Sequence, residues 1–197
     1  MIELSNVDFF YKEGSYVFKN FSLSLTHKKK YLLQGKNGTG KTTLLKILLG
    51  ILKTKNGKVT LEYDKRKTLF IPSTPFYEPY LNLGDFIEFY LKKMIKIPDD
   101  KINIDKILST LSLQDHKNTL CKNLSKGTIQ KIIISPLFTD YDWDCLFMDE
   151  PFEHLDMDTC SILREKILKS DSLVMLINHK EYILEENLNV RFERISL

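Results

Sequence analysis

No alanine occurs among the 197 residues, while Lys, Ile, Asn and Leu are abundant. That bias says more about genome composition than about function. Cysteine is scarce. Cys121, Cys145 and Cys160 are odd in number, scattered and without Cys-x-x-Cys spacing. A zinc site or a disulfide framework is therefore not expected, and reduced thiols in a cytosolic protein are. No run of 18 apolar residues exists, so no membrane span is expected. Glu3 and the lack of a long apolar run near the start argue against a signal peptide. Neither charge sign dominates: 29 Lys and Arg stand against 26 Asp and Glu, a net +3. Such a balance does not call for nucleic acid, and none is expected as a partner. Repeats, low-complexity tracts and long linkers are also missing. The expectation is a single domain over 1–197, long enough for one substantial core.

What is present begins with Gly35-Lys36-Asn37-Gly38-Thr39-Gly40-Lys41-Thr42-Thr43. It fits the phosphate-binding pattern G-x-x-x-x-G-K-[ST]. Tyr31-Leu32-Leu33 before it reads as a buried strand, and Leu44 to Leu49 after it as a buried helix. The glycines let the backbone curl so that successive N–H groups face phosphate oxygens. The helix N-terminus adds partial positive charge at the same spot. Lys41 can reach the β- and γ-phosphates, and the Thr42 hydroxyl can ligate Mg²⁺.

Residues 2–25 alternate apolar and polar on either side of Lys12-Glu13-Gly14-Ser15. Ile2, Leu4, Val7 and Phe9 on one arm, and Val17, Phe21, Leu23 and Leu25 on the other, predict an antiparallel hairpin. Gly57 to Tyr63 and Thr68 to Ile71 read as further strands. After Pro72-Ser73-Thr74-Pro75 the period changes. Leu83, Phe86, Ile87, Tyr90, Leu91 and Met94 recur at helical spacing, as do Ile104, Ile107, Leu108 and Leu111. A mostly helical block is expected over about 76–135. Its first part holds Phe76, Tyr77, Tyr80 and Leu81 in an irregular, partly exposed loop. Strands return at Cys145 to Met148 and Leu173 to Ile177, with a helix from Asp158 to Ser170 between them. That alternation implies a parallel sheet. A last strand is expected near Arg191 to Ile195.

Two further signals bear on chemistry. Leu146-Phe147-Met148-Asp149-Glu150-Pro151 is an apolar strand ending in two carboxylates, where ligands of parallel sheets sit. Asp149 is placed to hold the Mg²⁺ shell, and Glu150 to polarise a water aimed at the γ-phosphate. His179, two residues beyond another strand, can touch the same phosphate. The second signal is Leu124-Ser125-Lys126-Gly127-Thr128 ahead of an apolar helix, Ile129 to Phe138. Ser125 is a plausible cap and Gly127 gives close backbone access, making a second helix end able to take an anion. One nucleotide seldom needs two such ends, so this one is read as serving a nucleotide held by another subunit. Pro136 should kink the helix.

This order of elements resembles the nucleotide-binding domain of ATP-binding cassette (ABC) proteins over essentially the whole chain. Gly35 to Thr43 resembles Walker A. Leu124 to Thr128 is similar to the LSGGQ signature. Leu146 to Glu150 is similar to Walker B with the catalytic glutamate, Glu153 to Asp156 to the D-loop, and His179 to the switch histidine. The resemblance implies an α/β fold: a P-loop NTPase core with a mostly parallel sheet, an N-terminal antiparallel β-subdomain and an inserted helical subdomain. It implies ATP and Mg²⁺ as cofactors. Tyr11, Gly35, Asn37, Gly38, Thr39, Gly40, Lys41, Thr42, Thr43, Ser125 and Gly127 would bind nucleotide. Thr42 and Asp149 would hold the metal, and Glu150, His179 and Lys41 would be catalytic, with Tyr11 stacking on adenine.

The same resemblance implies an ATPase subunit of an ABC transporter, working as a head-to-tail dimer with an identical or related chain. It would lie on the cytoplasmic face of the membrane beside separate membrane subunits. No C-terminal regulatory domain is expected, and the compact form resembles ATPases of small bacterial exporters. Three departures stand out. Ser73 falls where the family has its Q-loop glutamine. Lys126 and Thr128 replace Gly and Gln of the signature. His154 replaces a small residue in the D-loop. Two other readings stay open: a soluble ABC ATPase of an assembly complex, and a regulatory subunit that binds ATP with little turnover. A DNA-repair ATPase of the superfamily would carry long coiled-coil heptads, which this chain lacks.

Overall fold

The computed structural model describes residues 1–178 and 192–197. Among them lie two sheets. Strands β1 (Ile2–Lys12), β2 (Ser15–Leu25) and β4 (Asn56–Leu61) form an antiparallel sheet in the order β2-β1-β4. Strands β3 (Lys30–Gln34), β5 (Thr68–Ile71), β6 (Cys145–Asp149), β7 (Leu173–Ile177) and β8 (Glu193–Ser196) form a parallel sheet in the order β5-β6-β7-β3-β8. Helix α1 (Lys41–Leu48) follows β3, and α5 (Met157–Lys169) joins β6 to β7. Between β5 and β6 lie α2 (Leu83–Phe89), α3 (Ile104–Thr110) and α4 (Lys126–Ile134).

Strands β6 and β7 are buried along their whole length and almost wholly apolar, because both of their faces are covered. Alternate residues feed two cores. Tyr31, Leu33, Phe147, Met175 and Ile177 pack with α1 and the antiparallel sheet. Leu32, Leu146, Met148, Val174 and Leu176 pack with α2 to α5. In α1 the side chains of Leu44, Leu45, Ile47 and Leu48 are buried, each worth about 1.5–3 kcal/mol of burial. The helix stops at Gly50 (φ +69), whose N–H donates to the Ile47 carbonyl while Ile51 donates back to Lys46. This pair of hydrogen bonds satisfies carbonyls the last turn leaves open. Burial of α1 therefore fixes the loop ahead of it against the end of β3.

Strict alternation fails in the hairpin, and the structure shows why. Phe18 is buried where Val17 was expected inward. Asn20 adopts φ +52 and Asn6 φ +50, and the β1–β2 register shifts around them. An extra residue in a bulge puts side chains three apart on one side. Leu4 and Val7 are thus both buried, and the Phe18 and Phe21 rings lie 5.0 Å apart. The bulge is pinned by the Asn20 N–H, which donates to Asp8 Oδ1 at 2.7 Å.

Two helical expectations also need correction. Met94 is exposed, not core. Residues Tyr90–Ile95 form a π-helical turn, whose wider winding rotates Met94 off the buried face. After Lys96 (φ +64) the core is filled by Ile97 instead. Pro136 does not kink a continuous α-helix. The α-helix ends at Ile134 and Ser135–Phe138 tightens into a 3₁₀ turn. Pro136 has no N–H to continue the ladder, and Ser135 already bonds three residues back to Ile132. The last strand runs from Glu193 to Ser196.

Candidate functional site

Parallel strands present their C-terminal ends to one crevice, and here β3 and β6 deliver the two main motifs to it. A cavity of about 500 Å³ is lined by Tyr11, Val17, Asn37, Gly38, Gly40, Lys41, Thr42, Thr43, Ser73, Asp149 and Glu150. The loop residues, the strand-end carboxylates and the aromatic of the hairpin are therefore brought together. Val17 was not anticipated as lining. Its Cγ1 would stand 2.5 Å from a Cβ placed on Gly40, which has φ +100. Only glycine fits there, because the loop must turn left-handed directly under the hairpin.

Lys41 is almost fully buried. Its ammonium donates to the carbonyls of Gly35 at 2.7 Å and Lys36 at 3.0 Å. An ammonium has three donors; these two bonds tie the side chain to the loop, and Lys41 lines the cleft. The Thr42 hydroxyl donates to Asp149 Oδ2 at 2.8 Å, joining two motifs 107 residues apart in sequence. Asp149 is buried at the end of β6. Glu150 next to it has φ +54, a left-handed conformation costing about 1–2 kcal/mol for a residue with a Cβ. Its N–H donates to the Ile177 carbonyl at 2.9 Å, extending the β6–β7 ladder one residue further. With its N–H tied to β7 and its carbonyl accepting from the Glu153 N–H at 3.1 Å, Glu150 is where the chain leaves the sheet, at the lip of the cleft. Strain of this sort gathers where a side chain must be aimed.

Tyr11 is two-thirds exposed, with its ring edge-on to Phe9 at 5.0 Å. Its hydroxyl shares a hydrogen bond of 3.0 Å with Thr43 Oγ1. Ser73, also exposed, lines the cleft. Ser125 and Gly127 do not line it. They start α4, where Ser125 Oγ accepts from the Thr128 N–H at 3.1 Å. His179 lies outside the described residues. A larger cavity of about 720 Å³ lies where β6 and β7 begin, lined by residues that include Trp143, Lys166 and Ser172. It holds neither the loop glycines nor the paired carboxylates, and its lining mixes lysines with aspartates.

Residues 18–153 match the family model described as ABC transporter. The chain belongs to the ABC transporter family. Among its relatives, the ATP-binding protein Uup of Buchnera aphidicola is 27% identical over 185 residues, covering 94% of this chain. The chain spans only 31% of that protein's length. The zinc import ATP-binding protein ZnuC of Wigglesworthia glossinidia brevipalpis is 25% identical over 196 residues, covering 93% of this chain and 78% of that one. A solved dimer of the ATP-binding cassette MJ0796, bound to ADP and Pi in a post-hydrolysis state, superposes with a TM-score of 0.78 at 22% identity. That likeness covers 100% of this chain and 94% of the other, and is one of fold. With the family known, the two sheets and the helical block take their places as the parts of an ABC cassette. Among the described residues, no helix is long and apolar enough to cross a membrane.

One electrostatic feature lies beside the site. Asp156 caps α5, with Oδ1 accepting from the Thr159 N–H at 2.8 Å, and pairs with Lys131 at 2.7 Å. Burial alone would raise its carboxyl, but the bonds from Lys131 and Thr159 outweigh that and hold it at about 2, against an ordinary 3.8. A depressed carboxyl stabilises the fold above its unfolded value, and the contribution is lost as pH falls from about 3.8 toward 2. Because the Asp156 side chain is half-exposed, screening reduces the worth of the pair to about 1 kcal/mol. Acid unfolding followed by circular dichroism should therefore show Asp156→Asn less stable than wild type at pH 6, with the gap closing near pH 2. A constant gap across that range would mean that the cap, not the charge, carries the effect.

Proposed function

We propose that this chain is the ATP-binding and ATP-hydrolysing subunit of an ABC transporter. It works as a dimer that sandwiches two ATP molecules and docks on separate membrane subunits at the cytoplasmic face. The observation that carries the reading is the 2.8 Å bond between Thr42 and Asp149, made in one cleft with Lys41 and Glu150. A hydroxyl and a carboxylate oxygen side by side suit a small hard cation, which takes few protein oxygens and keeps water and phosphate as its other ligands. Thr42 and Asp149 would hold Mg²⁺, which supplies neutralising charge at the β- and γ-phosphates.

In this reading the Gly35 to Gly40 turn and the α1 N-terminus bind the phosphates. Lys41, oriented by the Gly35 and Lys36 carbonyls, directs its third proton at them. The Tyr11 ring offers its face to adenine. Glu150 polarises the attacking water, and His179 contacts the γ-phosphate. Ser125 and Gly127 contact the nucleotide of the partner chain. A fold relative solved as a dimer bound to ADP and Pi supports the dimeric part of the reading. Reading the chain as belonging to a small exporter rests on the family resemblance alone.

The docking part of the reading rests on Phe76, Tyr77 and Tyr80, all exposed on the segment after Pro75. Photocrosslinkers placed at Phe76 or Tyr80 in intact membranes should yield adducts with a multi-span membrane protein. Adducts with soluble proteins alone would favour the assembly-complex reading instead.

A further inference from the structure

The larger cavity, about 720 Å³, opens where β6 and β7 begin, at the opposite end of the sheet from the nucleotide cleft. That volume lies within the range of small-ligand sites. Its walls come from four stretches of chain: the β2–β3 turn, the approach to β6, the last turn of α5 and the turn into β7. Leu137 and Leu146, both buried, supply apolar lining. Tyr141 and Trp143 meet edge to face with centroids 4.8 Å apart, an aromatic corner in the same wall.

Most of the polar lining is spent on protein partners. Trp143 Nε1 donates to the Pro136 carbonyl and the Tyr141 hydroxyl to the Arg66 carbonyl, each at 3.3 Å. Ser172 Oγ donates to the Trp143 carbonyl at 2.6 Å. Lys28 pairs with Asp171 at 3.6 Å, Asp144 with Lys67 at 4.0 Å, and Lys169 with Glu165. His27 Nε2 lies 2.8 Å from the N-terminal ammonium. Three groups remain. Among the described residues the Lys166 ammonium and the Asp142 carboxylate have no partner, and Ser170 Oγ is buried with none. A buried hydroxyl without a partner carries a desolvation cost that nothing in the protein returns.

The unspent groups define the ligand. The ammonium calls for an anion, the carboxylate for a cation, the hydroxyl for a hydrogen-bonding atom, and the aromatic corner for an apolar body. A molecule of one charge would satisfy one of the two ions and leave the other unmet. We propose that this cavity binds a small zwitterion with an apolar side chain, a free amino acid or a short peptide. Its carboxylate meets Lys166, its ammonium meets Asp142, and its side chain packs on Tyr141 and Trp143. The site shares no lining residue with the nucleotide cleft, and the proposal stands without the ATPase reading.

Trp143 is the only tryptophan of the chain, so its emission reports on this wall alone. The intact chain is titrated with free leucine, with trileucine, and with trileucine acetylated at its amino end or amidated at its carboxyl end. Leucine or trileucine should give a saturable shift of the emission to shorter wavelength, as water leaves the ring. Blocking either end should weaken binding about tenfold or more, because it strips a charged group on the wall of its partner. Tighter binding of trileucine assigns the site to peptides, and equal or weaker binding assigns it to free amino acids. Lys166→Gln should bind free and amidated trileucine alike, and Asp142→Asn free and acetylated trileucine alike. Ser170→Ala should weaken the unblocked ligands about fivefold. Saturating Mg-ATP should not displace them.

Neither an emission change nor heat in a calorimetric titration with leucine and trileucine would overturn the proposal. So would equal binding of blocked and free forms by the wild type, or wild-type behaviour of all three variants. Displacement by Mg-ATP would put the ligand in the nucleotide cleft and overturn it too. Lys166 and Asp142 are exposed, so their substitutions test the site without endangering the fold. A chain that binds no ATP would sink the functional reading and leave this result standing.

Discussion

Glu150→Gln should abolish ATP turnover while leaving ATP binding intact. The substitution removes the charge that polarises water and keeps the shape of the side chain. Proton abstraction in the transition state loses its base, a loss of about 10²–10⁴-fold in kcat. Binding should persist because the groups nearest the phosphates are elsewhere: the loop turn, Lys41 held by Gly35 and Lys36, and the Thr42–Asp149 pair. The backbone at 150 should also survive. Its φ of +54 is flanked by two backbone bonds, from its N–H to Ile177 and from the Glu153 N–H to its carbonyl, neither of which the side chain makes. Single-turnover hydrolysis, together with equilibrium binding of a fluorescent analogue, separates the two effects. Turnover at the wild-type rate would show that Glu150 is not the base. Loss of binding along with turnover would show instead that the carboxylate helps to shape the pocket.

The elements that could be read from the sequence are those whose signal is local. The loop from Gly35 to Thr43 announces itself by glycine spacing, and its flanking apolar runs are indeed β3 and α1. The hairpin, β5, β6 and β7 follow from runs of four to eleven residues with clear turn chemistry. Errors came where one extra residue resets the period without marking itself. Asn20 inserts a bulge and exchanges Val17 for Phe18, and the π-helical turn swings Met94 into solvent. Asparagine at φ above zero is a faint cue to the first. Nothing in Tyr90 to Ile95 announces the second. Contacts made only on folding were not legible at all. The hydroxyl of Tyr11 on Thr43, Val17 against Gly40, and Gln130 on Pro151 each join residues whose own neighbours give no hint of the partner.

Dimer formation should depend on ATP, and the start of α4 should decide it. Ser125 Oγ accepts from the Thr128 N–H and lies 2.8 Å from the Thr128 hydroxyl, which orders the first turn. Ser125→Ala removes the cap, costing about 1 kcal/mol of helix stability, and removes a hydroxyl from the end proposed to meet the partner's nucleotide. Gly127→Ala should be more severe. Its new methyl would meet the His154 carbonyl at 2.5 Å. Main chain cannot swing aside as a flexible side chain can, so either α4 or the segment beyond Glu150 must shift, at about 1–3 kcal/mol. Both substitutions lie outside the cleft that holds Lys41 and Thr42. Monomer affinity for nucleotide should therefore change little, while the ATP-dependent dimer should be weakened in Ser125→Ala and lost in Gly127→Ala. Light scattering in the Glu150→Gln background, with and without Mg-ATP, reads the dimer without depletion of ATP. A Gly127→Ala chain that dimerises as well as its parent would remove this helix end from the interface. Equal dimer levels with and without ATP in the parent would count against a sandwich built around nucleotide.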